Sequence, residues 1–355
     1  MIPLPWVGFL LLILALLAFD LGVFHRRPHA QSPREALCWS GLWVGLSLSF
    51  NALVYFLYER NWLGVGTEIG LDLDGSTAAL QFFTGYLIEL SLSLDNVFVI
   101  GLVISYFSVP LAYQHRVLFW GVLGALVLRG AMIAAGAALI ARFHWTIYLF
   151  GLFLVGTAVK LLVARQDTID PERSLLVRVA RRIFPLTPEM HGDRFFVRVG
   201  GRLMMTPLFL VVLVVESSDV IFAVDSIPAI FAVTRDPFLV FTSNIFAILG
   251  LRSLYFALAP LIERFLYLKT SLVFILAFVG MKMLLSHHYP IPTAVSLAMI
   301  AGILVVGVAA SILVSRREAA ASSAPAPPPV GASPPEQAPE EWRRETEPER
   351  SGTLS

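Results

Sequence analysis

Apolar residues fill long stretches of this chain, and most charged residues are collected in the shorter segments between them. About 20 apolar residues in a helix span the hydrocarbon core of a membrane. The pattern therefore predicts an all-α polytopic membrane protein with about nine transmembrane helices. We expect these helices at residues 5–24, 38–57, 80–107, 116–141, 144–164, 206–232, 238–259, 268–285 and 291–314.

The composition of the chain excludes several classes of function. At 57% hydrophobic and 14% charged it is too apolar for a soluble protein, and a net charge of +1 suggests no nucleic-acid partner. The single cysteine excludes an internal disulfide and a metal site built from several thiolates. No nucleophile motif, phosphate-binding loop or ATP-binding domain stands out. We therefore expect no enzyme and no bound cofactor, and any transport would be secondary.

The basic residues indicate how the chain crosses the membrane. Loops after the first, third, fifth and seventh helices hold most of the loop arginines, including eight between Arg165 and Arg202. Basic loops stay in the cytoplasm, so we expect the N-terminus outside and the C-terminus inside. An apolar face beside Arg178, Arg181 and Arg182 also predicts a short helix on the inner membrane surface.

An acidic motif occurs twice within the apolar stretches. The first copy, ELSLSLDN, starts at Glu89, and the second, DVIFAVDS, starts at Asp219. In each copy the first acid is followed six residues later by an Asp and then by a small polar residue, giving Asp95-Asn96 and Asp225-Ser226. Because charged groups are costly inside a membrane, these acids are candidates for function.

Basic residues repeat in the same order. Aligning the two motifs places an arginine on the next helix and a lysine on the one after it, namely Arg129 and Lys160 in the first copy and Arg252 and Lys282 in the second. Each unit therefore has three helices, and an odd number makes the two units enter the membrane from opposite sides. Such inverted repeats are typical of secondary transporters, and a duplicated structural bundle is the alternative.

The repeat defines the expected segments of the chain. They are two transmembrane helices with an acidic outer loop (1–79), the first three-helix repeat (80–164), a basic cytoplasmic loop (165–205), the second three-helix repeat (206–285), a last transmembrane helix (286–315) and a Pro-rich cytoplasmic tail (316–355). We expect the tail to be disordered because of its composition.

The acids also suggest an ion site. On one helix Glu89 and Asp95 point about 120° apart, so a single helix cannot bring both to one ion. Inverted symmetry would allow Asp95 and Asp225 to meet near the centre of the membrane. Glu89 would then be displaced toward the outside, and Asp219, with Glu216, toward the inside. A purely structural role for these acids is the alternative.

The candidate ligands are hard oxygen donors. The carboxylates are joined by Asn96, Ser226, Asn244 and the Val224 carbonyl, which Pro228 leaves without its helical hydrogen bond. Such donors suit Mn²⁺, Mg²⁺ or Ca²⁺ rather than copper or zinc. The seven histidines fall at helix ends or in loops, which also argues against a copper or zinc site within the membrane.

The four intramembrane bases allow three interpretations. We expect Arg129 and Arg252 to pair with the acids and hold helices together, as Lys160 and Lys282 also could. In an anion exporter the four bases would instead bind an oxyanion. In a membrane scaffold or insertion factor, the helices and the cytoplasmic loop would bind other proteins.

Several stretches of the sequence resemble the TerC family, which includes the Alx proteins. The similarity is most specific over PLFLVVLVVESSDVIFAVDSIPAIFAVTRDPFLVFTSNIFAILGLRSLYF. The stretches ELSLSLDN, FDLGVFHRR, REAL and HGDRFF are also similar to family patterns. The resemblance covers residues 5–310 and leaves out the Pro-rich tail.

This resemblance implies a bacterial inner-membrane protein that exports Mn²⁺ and related divalent cations, with a historical link to tellurium-oxyanion resistance. By position it implies metal-pathway roles for Glu89, Asp95, Glu216, Asp219 and Asp225, with Asn96, Ser226 and Asn244 as polar companions. Asp20 lies in the family's first-helix motif. Because buried acids can exchange a metal for protons, proton coupling is a further expectation. The direction of transport rests on the resemblance alone.

Overall fold

The computed structural model describes residues 4–24, 33–66, 71–163, 175–258, 268–286, 289 and 291–322. Ten α-helices and two short strands form within these ranges. In chain order they are α1 (Leu4–Phe24), α2 (Pro33–Glu59), α3 (Gly75–Tyr106), α4 (Leu111–Arg142), α5 (Thr146–Val163), α6 (Leu175–Ile183), β1 (Phe196–Val199), β2 (Arg202–Met205), α7 (Pro207–Phe231), α8 (Pro237–Leu258), α9 (Leu268–Leu285) and α10 (Thr293–Ser322).

Each apolar stretch that the sequence predicts as a transmembrane helix is helical. Over the ranges above, seven helices are long and apolar enough to cross a membrane: α2, α3, α4, α5, α7, α8 and α10. The apolar parts of α1 and α9, Leu4–Phe19 and Thr270–Leu285, are shorter. The chain is therefore a multi-pass helical membrane protein, and nine crossings stay a prediction.

Helix α3 begins at Gly75 rather than at the predicted residue 80, because Asp74 caps it. The Asp74 carboxylate accepts hydrogen bonds from the Ser76 hydroxyl and, at 3.0 Å, from the backbone N–H of Thr77. These two bonds lower the pKa of this exposed carboxyl to about 2. Hydropathy marks only the apolar part of a helix, so a polar first turn of this kind goes undetected.

A second carboxylate, Asp236, joins the ends of three segments. It is fully buried, and it accepts hydrogen bonds from the Tyr58 hydroxyl at 2.7 Å and from the Leu71 N–H at 2.8 Å. It also caps α8 by accepting from the N–H groups of Phe238 and Leu239 at 2.9 and 3.2 Å. The end of α2, the segment before α3 and the start of α8 are held together by this one side chain.

Helices α3 and α7, the first helices of the two predicted units, pack against each other in antiparallel directions. Ile104 near the end of α3 shares a buried cluster with Leu208 at the start of α7. Ile88, earlier in α3, shares a different cluster with Ile230 near the end of α7. The two helices therefore run in opposite directions.

The second helices of the units, α4 and α8, are also antiparallel. Leu118, early in α4, lines a cavity together with Leu251, late in α8. Gly130, later in α4, lies against the ring of Phe241, early in α8. In addition, α3 packs on α8 and α4 packs on α7, so each unit contributes to the packing of the other.

The third helices, α5 and α9, approach each other at backbone distance. A Cβ atom built on Gly151 would lie 3.0 Å from the carbonyl oxygen of Gly280, and one built on Gly280 would lie 2.9 Å from that of Gly151. Gly151 also faces Met283, whereas Gly280 faces Val155, so this pair is antiparallel too. Small residues at such crossings let membrane helices pack closely.

The basic segment before α7 contains the predicted surface helix, α6, and a β-hairpin that the sequence analysis missed. Strands β1 and β2 pair in antiparallel directions around Gly200 and Gly201, both of which have positive φ. The ring of Phe196 contacts the rings of Phe184 and Phe209. These contacts with residues outside the hairpin stabilise strands that are too short to recognise from periodicity.

Helix α10 extends further than expected. A disordered tail is expected from residue 316, but α10 continues to Ser322. The alanine-rich stretch at 319–321 favours helix, which explains the longer span. The chain divides into Met1–Ile312 and Leu313–Ser355, and within the second part residues 323–355 lie outside the described ranges.

Candidate functional site

Arg129 of α4 is the centre of a buried charge cluster. Its side chain is 1% exposed. Nη1 donates a hydrogen bond to Oε1 of Glu89 on α3, while Nε and Nη2 donate to Asp219 on α7 at 3.0 and 2.9 Å. Nη1 also donates to the Ser226 hydroxyl at 3.3 Å. One guanidinium therefore links the first helices of both predicted units.

The cluster corrects the arrangement expected from the sequence. Asp95 and Asp225 were expected to meet between Glu89 and Asp219, and this is wrong because Arg129 bridges Glu89 and Asp219 directly. Asn96 lies against Asp219, and Ser226 shares Nη1 of Arg129 with Glu89. On these antiparallel helices the backbone of Asp95 therefore lies near the level of Asp219 and Asp225 near that of Glu89, about 9 Å apart along the helix axes. Periodicity fixes spacing within one helix but not the register between two helices.

Four buried oxygens around the cluster lack hydrogen-bond partners. They are Oε2 of Glu89, both carboxylate oxygens of Glu216 and Oδ1 of Asn96. The Asn96 amide nitrogen lies 3.5 Å from Asp219, and Glu216 interacts electrostatically with the same residue. Buried polar atoms normally have partners, so such a group of exceptions needs an explanation.

Glu216 is accommodated by a glycine on the facing helix. A Cβ atom on Gly124 of α4 would lie 2.1 Å from Oε1 of Glu216, which is far inside contact distance. The carboxylate therefore occupies the space that any other residue at position 124 would fill. Its side chain is 8% exposed and sits against backbone rather than in water.

A small cavity adjoins the cluster. Its volume is about 20 Å³, and its polar lining is formed by Asn96, Ser218, Asp219 and Arg252. A cavity of this size has room for about one water molecule or one ion. Apolar residues of α3, α4, α7 and α8 form the remaining wall. The cavity is therefore a small, mostly apolar space that reaches Asp219.

Asp225 belongs to a different environment. Its Oδ1 accepts a hydrogen bond from the Thr157 hydroxyl on α5 at 2.9 Å. The exposed Lys160, one turn further along α5, interacts electrostatically with the same carboxylate. Asp225 is thus partnered by the third helix of the first unit rather than by Arg129.

The other predicted site residues lie apart from the Arg129 contacts. Asn244 is fully buried on α8, and neither atom of its amide has a partner. Lys282 is buried on α9. The side chains of Asp95 and Asp20 fall outside the described residues. Among the side chains that are described, no three or more of His, Cys, Asp and Glu form a ready metal site.

Sequence reasoning missed two residues that shape the site. Thr157, which binds Asp225, is a lone hydroxyl in an apolar helix and carries no distinctive signal. Gly124 lies in a helix with Gly121, Gly130 and Gly136, and glycines at this density indicate close approach to a neighbouring helix. That signal could have located the helix that faces Glu216.

Residues 74–319 match the model of the integral membrane protein TerC family. The chain belongs to the TerC family. It is 52% identical over 311 residues to an uncharacterized membrane protein, STKORF319, of Myxococcus xanthus, covering 88% of this chain and 92% of that one. It is also 52% identical over 304 residues to the "Putative membrane-bound redox modulator Alx" of Escherichia coli K12, covering 85% and 92%.

A more distant relative, an uncharacterized membrane protein of Rickettsia bellii, is 39% identical over 308 residues, which cover 87% of this chain and 97% of that one. No solved structure matches the chain. The TerC match begins at Asp74, the cap of α3, and includes every residue of the charge cluster. The cluster therefore lies within the part of the chain that defines the family.

Proposed function

We propose that this TerC protein is a secondary transporter of a hard divalent cation, with Mn²⁺ as the expected cargo. The observation that carries the proposal is the group of buried oxygens without partners on Glu89, Glu216 and Asn96, at the contact between the two three-helix units. A bound cation would satisfy these oxygens together. The buried Asp219 would complete the set of donors if Arg129 withdrew.

The chemistry of these donors supports a hard cation. Carboxylate and amide oxygens are the preferred ligands of Mn²⁺, Mg²⁺ and Ca²⁺, whereas copper and zinc favour sulfur and imidazole. The chain has one cysteine, Cys38, which is exposed on α2. The choice of Mn²⁺ over its neighbours, and the direction of export, rest on the resemblance noted in the sequence.

The packing of the units supports an alternating-access mechanism. The helix pairs α3 with α7, α4 with α8 and α5 with α9 are each antiparallel. The first helix of each unit also packs on the second helix of the other unit, in the contacts α3–α8 and α7–α4. This is the relation that inverted repeats produce. Rocking of one unit against the other would then open the site to each side in turn, in a bacterial inner membrane with the N-terminus outside.

Proton exchange is the coupling that we expect. Glu216 and Asp225 are both acids of α7, which is long and apolar enough to span the membrane, and either could bind a proton when the cation leaves. This part of the proposal predicts that manganese efflux falls when an imposed pH gradient is collapsed while the voltage is clamped. Efflux that did not change when the pH gradient was collapsed would contradict proton coupling.

Anion export is disfavoured by the geometry of Arg129. This base, the first candidate for an oxyanion ligand, already donates to two carboxylates and a hydroxyl. A redox role, as in the printed name of the Escherichia coli relative, would need redox chemistry that one thiol cannot complete within the chain. Cation transport is therefore the function that the described residues support best.

The test is manganese efflux from proteoliposomes that contain the purified protein. Asp219→Asn combined with Glu216→Gln removes two of the proposed ligands, and we expect efflux to fall to the level of empty liposomes. The matched control Asp72→Asn neutralises an exposed acid and should leave efflux unchanged. Equal efflux from the double variant and the wild type would contradict the proposed site, and no efflux from wild-type protein would contradict the function.

A further inference from the structure

Arg129 occupies the oxygens that a transported cation would need. It binds one oxygen of Glu89 and both oxygens of Asp219. Of the four carboxylate oxygens on these two residues, Oε2 of Glu89 is the one without a partner. The guanidinium thus stands between two acids from different units, in the position where a cation could bridge them.

Without this arginine, the conformational return of the carrier with an empty site would be energetically unfavourable. Two ionised carboxylates in a membrane interior are destabilised by the loss of water and by their repulsion. A carrier that gives net transport must return after releasing its ion, with the site empty. A positive group that takes the place of the ion would lower the free energy of the empty site during that return.

We infer that Arg129 is a tethered substitute for the transported cation, binding Glu89 and Asp219 when the site is empty and leaving them when the cation arrives. The inference rests on the proposed function and adds how the empty site is kept stable. It also explains why no cluster of three acids is assembled among the described side chains. The guanidinium holds Glu89 and Asp219 apart until the cation displaces it.

Arginine is better suited to this task than lysine. Its guanidinium keeps its charge in proteins, so the acids cannot be released by the loss of a proton. Displacement therefore has to be a movement of the side chain, which ties cation entry to a change of conformation. The fork of donors also binds Asp219 through two nitrogens at once.

The cavity beside the cluster gives the cation a place from which to compete. Asp219, Asn96 and the positively charged Arg252 lie in its otherwise mostly apolar wall, and it has room for about one ion in transit. A cation there would reach Asp219 without first passing Arg129. We therefore expect exchange to begin at Asp219 and to end at Glu89.

The experiment compares two kinds of flux in proteoliposomes. Net efflux of Mn²⁺ requires the empty carrier to return, whereas exchange of radioactive Mn²⁺ for unlabelled Mn²⁺ does not. For Arg129→Gln we expect net efflux to fall about 100-fold, the effect of one uncompensated membrane charge, while exchange stays near the wild-type rate. Purified Arg129→Gln should also bind Mn²⁺ more tightly, because the competing charge is gone.

Two results would overturn the inference. Net efflux and exchange that both match the wild type would show that the empty site needs no positive group. Loss of both fluxes and of Mn²⁺ binding from a folded Arg129→Gln protein would show that the arginine only supports the structure. Wild-type protein that gives neither flux would instead contradict the proposed function.

Two further variants keep the test decisive. Arg129→Lys keeps a positive charge but loses the fork, so its ratio of net efflux to exchange should fall by much less than the loss expected of Arg129→Gln, even if that variant does not fold. A ratio reduced as far as that expected of Arg129→Gln would contradict a role based on charge. Arg142→Gln removes an exposed arginine from the same helix and should change neither flux.

Discussion

Glu216 places stability and chemistry in conflict at a single residue. Its carboxylate is buried against Gly124, and neither oxygen has a hydrogen-bond partner. A buried, unpaired acid is unfavourable for folding. A side chain with this cost is well placed to bind a cation, because binding would remove the penalty.

Replacing Glu216 with Gln should separate these two properties. Gln keeps the shape but loses the charge, so we expect the free energy of unfolding to rise by about 1 kcal/mol, since a neutral group is easier to bury. Cation binding should weaken in the same protein. Thermal unfolding and Mn²⁺ titration in detergent would measure both effects, with the exposed Glu189→Gln as a neutral control. A lower unfolding midpoint would contradict the prediction.

A methyl group at Gly124 should disturb Glu216 directly. In Gly124→Ala the new Cβ would meet the carboxylate at 2.1 Å, and because the end of this flexible side chain can turn aside, we expect a loss of stability of about 1 kcal/mol. Gly156→Ala in α5 is the matched control, because a Cβ there has nothing within 4 Å. If the clash is the cause, adding Glu216→Ala should restore most of the stability of Gly124→Ala. Equal stability of the two single variants would argue against the contact.

The residues of the site and the pairing of Arg129 with acids were predictable from the sequence, but which acids it binds was not. Glu89 and Asp219 stand out as acids in apolar stretches, and the repeat links them. Their shared contact with Arg129 joins residues 40 and 90 positions apart, and no local rule gives that register. The expected meeting of Asp95 and Asp225 was inferred from the symmetry of the repeat alone. That symmetry does not give the relative position of α3 and α7 along their axes, and the expectation was wrong.

The sequence predicted the elements that form because of their hydropathy, and it missed the β-hairpin, which depends on tertiary contacts. All nine apolar stretches are helices, and α6 forms as expected. Pro228 does not break α7, which continues to Phe231. The β-hairpin at 196–205 was missed because its strands depend on Phe184 and Phe209, which lie outside it.

The Asp74 cap makes the start of α3 sensitive to acid. Its pKa is about 2 in the folded protein and 3.8 without the cap, so its stabilising effect is complete above the higher value and lost as pH falls through the lower one. The difference in unfolding midpoint between wild type and Asp74→Ala should be constant from neutral pH to about pH 5 and shrink toward pH 2. A difference that stayed constant to the lowest pH would contradict the cap.

At the scale of the whole molecule, the predicted topology places two exposed acids on opposite sides of the membrane. In a Cys38→Ser background, Asp72→Cys before α3 should react with an impermeant thiol reagent in intact cells. Glu189→Cys between α6 and β1 should react only after the membrane is opened. Labelling of both from outside would contradict the inverted orientation of the units.

The contact between Glu89 and Arg129 also bears on how the chain is made. The two residues are 40 positions apart on consecutive helices, and Asp219 follows Arg129 by 90. If helices leave the ribosome and insert in order, α3 and α4 can enter the bilayer with Glu89 already paired to Arg129. Asp219 then inserts when Arg129, its later partner, is already in the membrane. Arg129 would thus also act during biosynthesis, by lowering the free-energy cost of inserting first Glu89 and then Asp219 into the membrane.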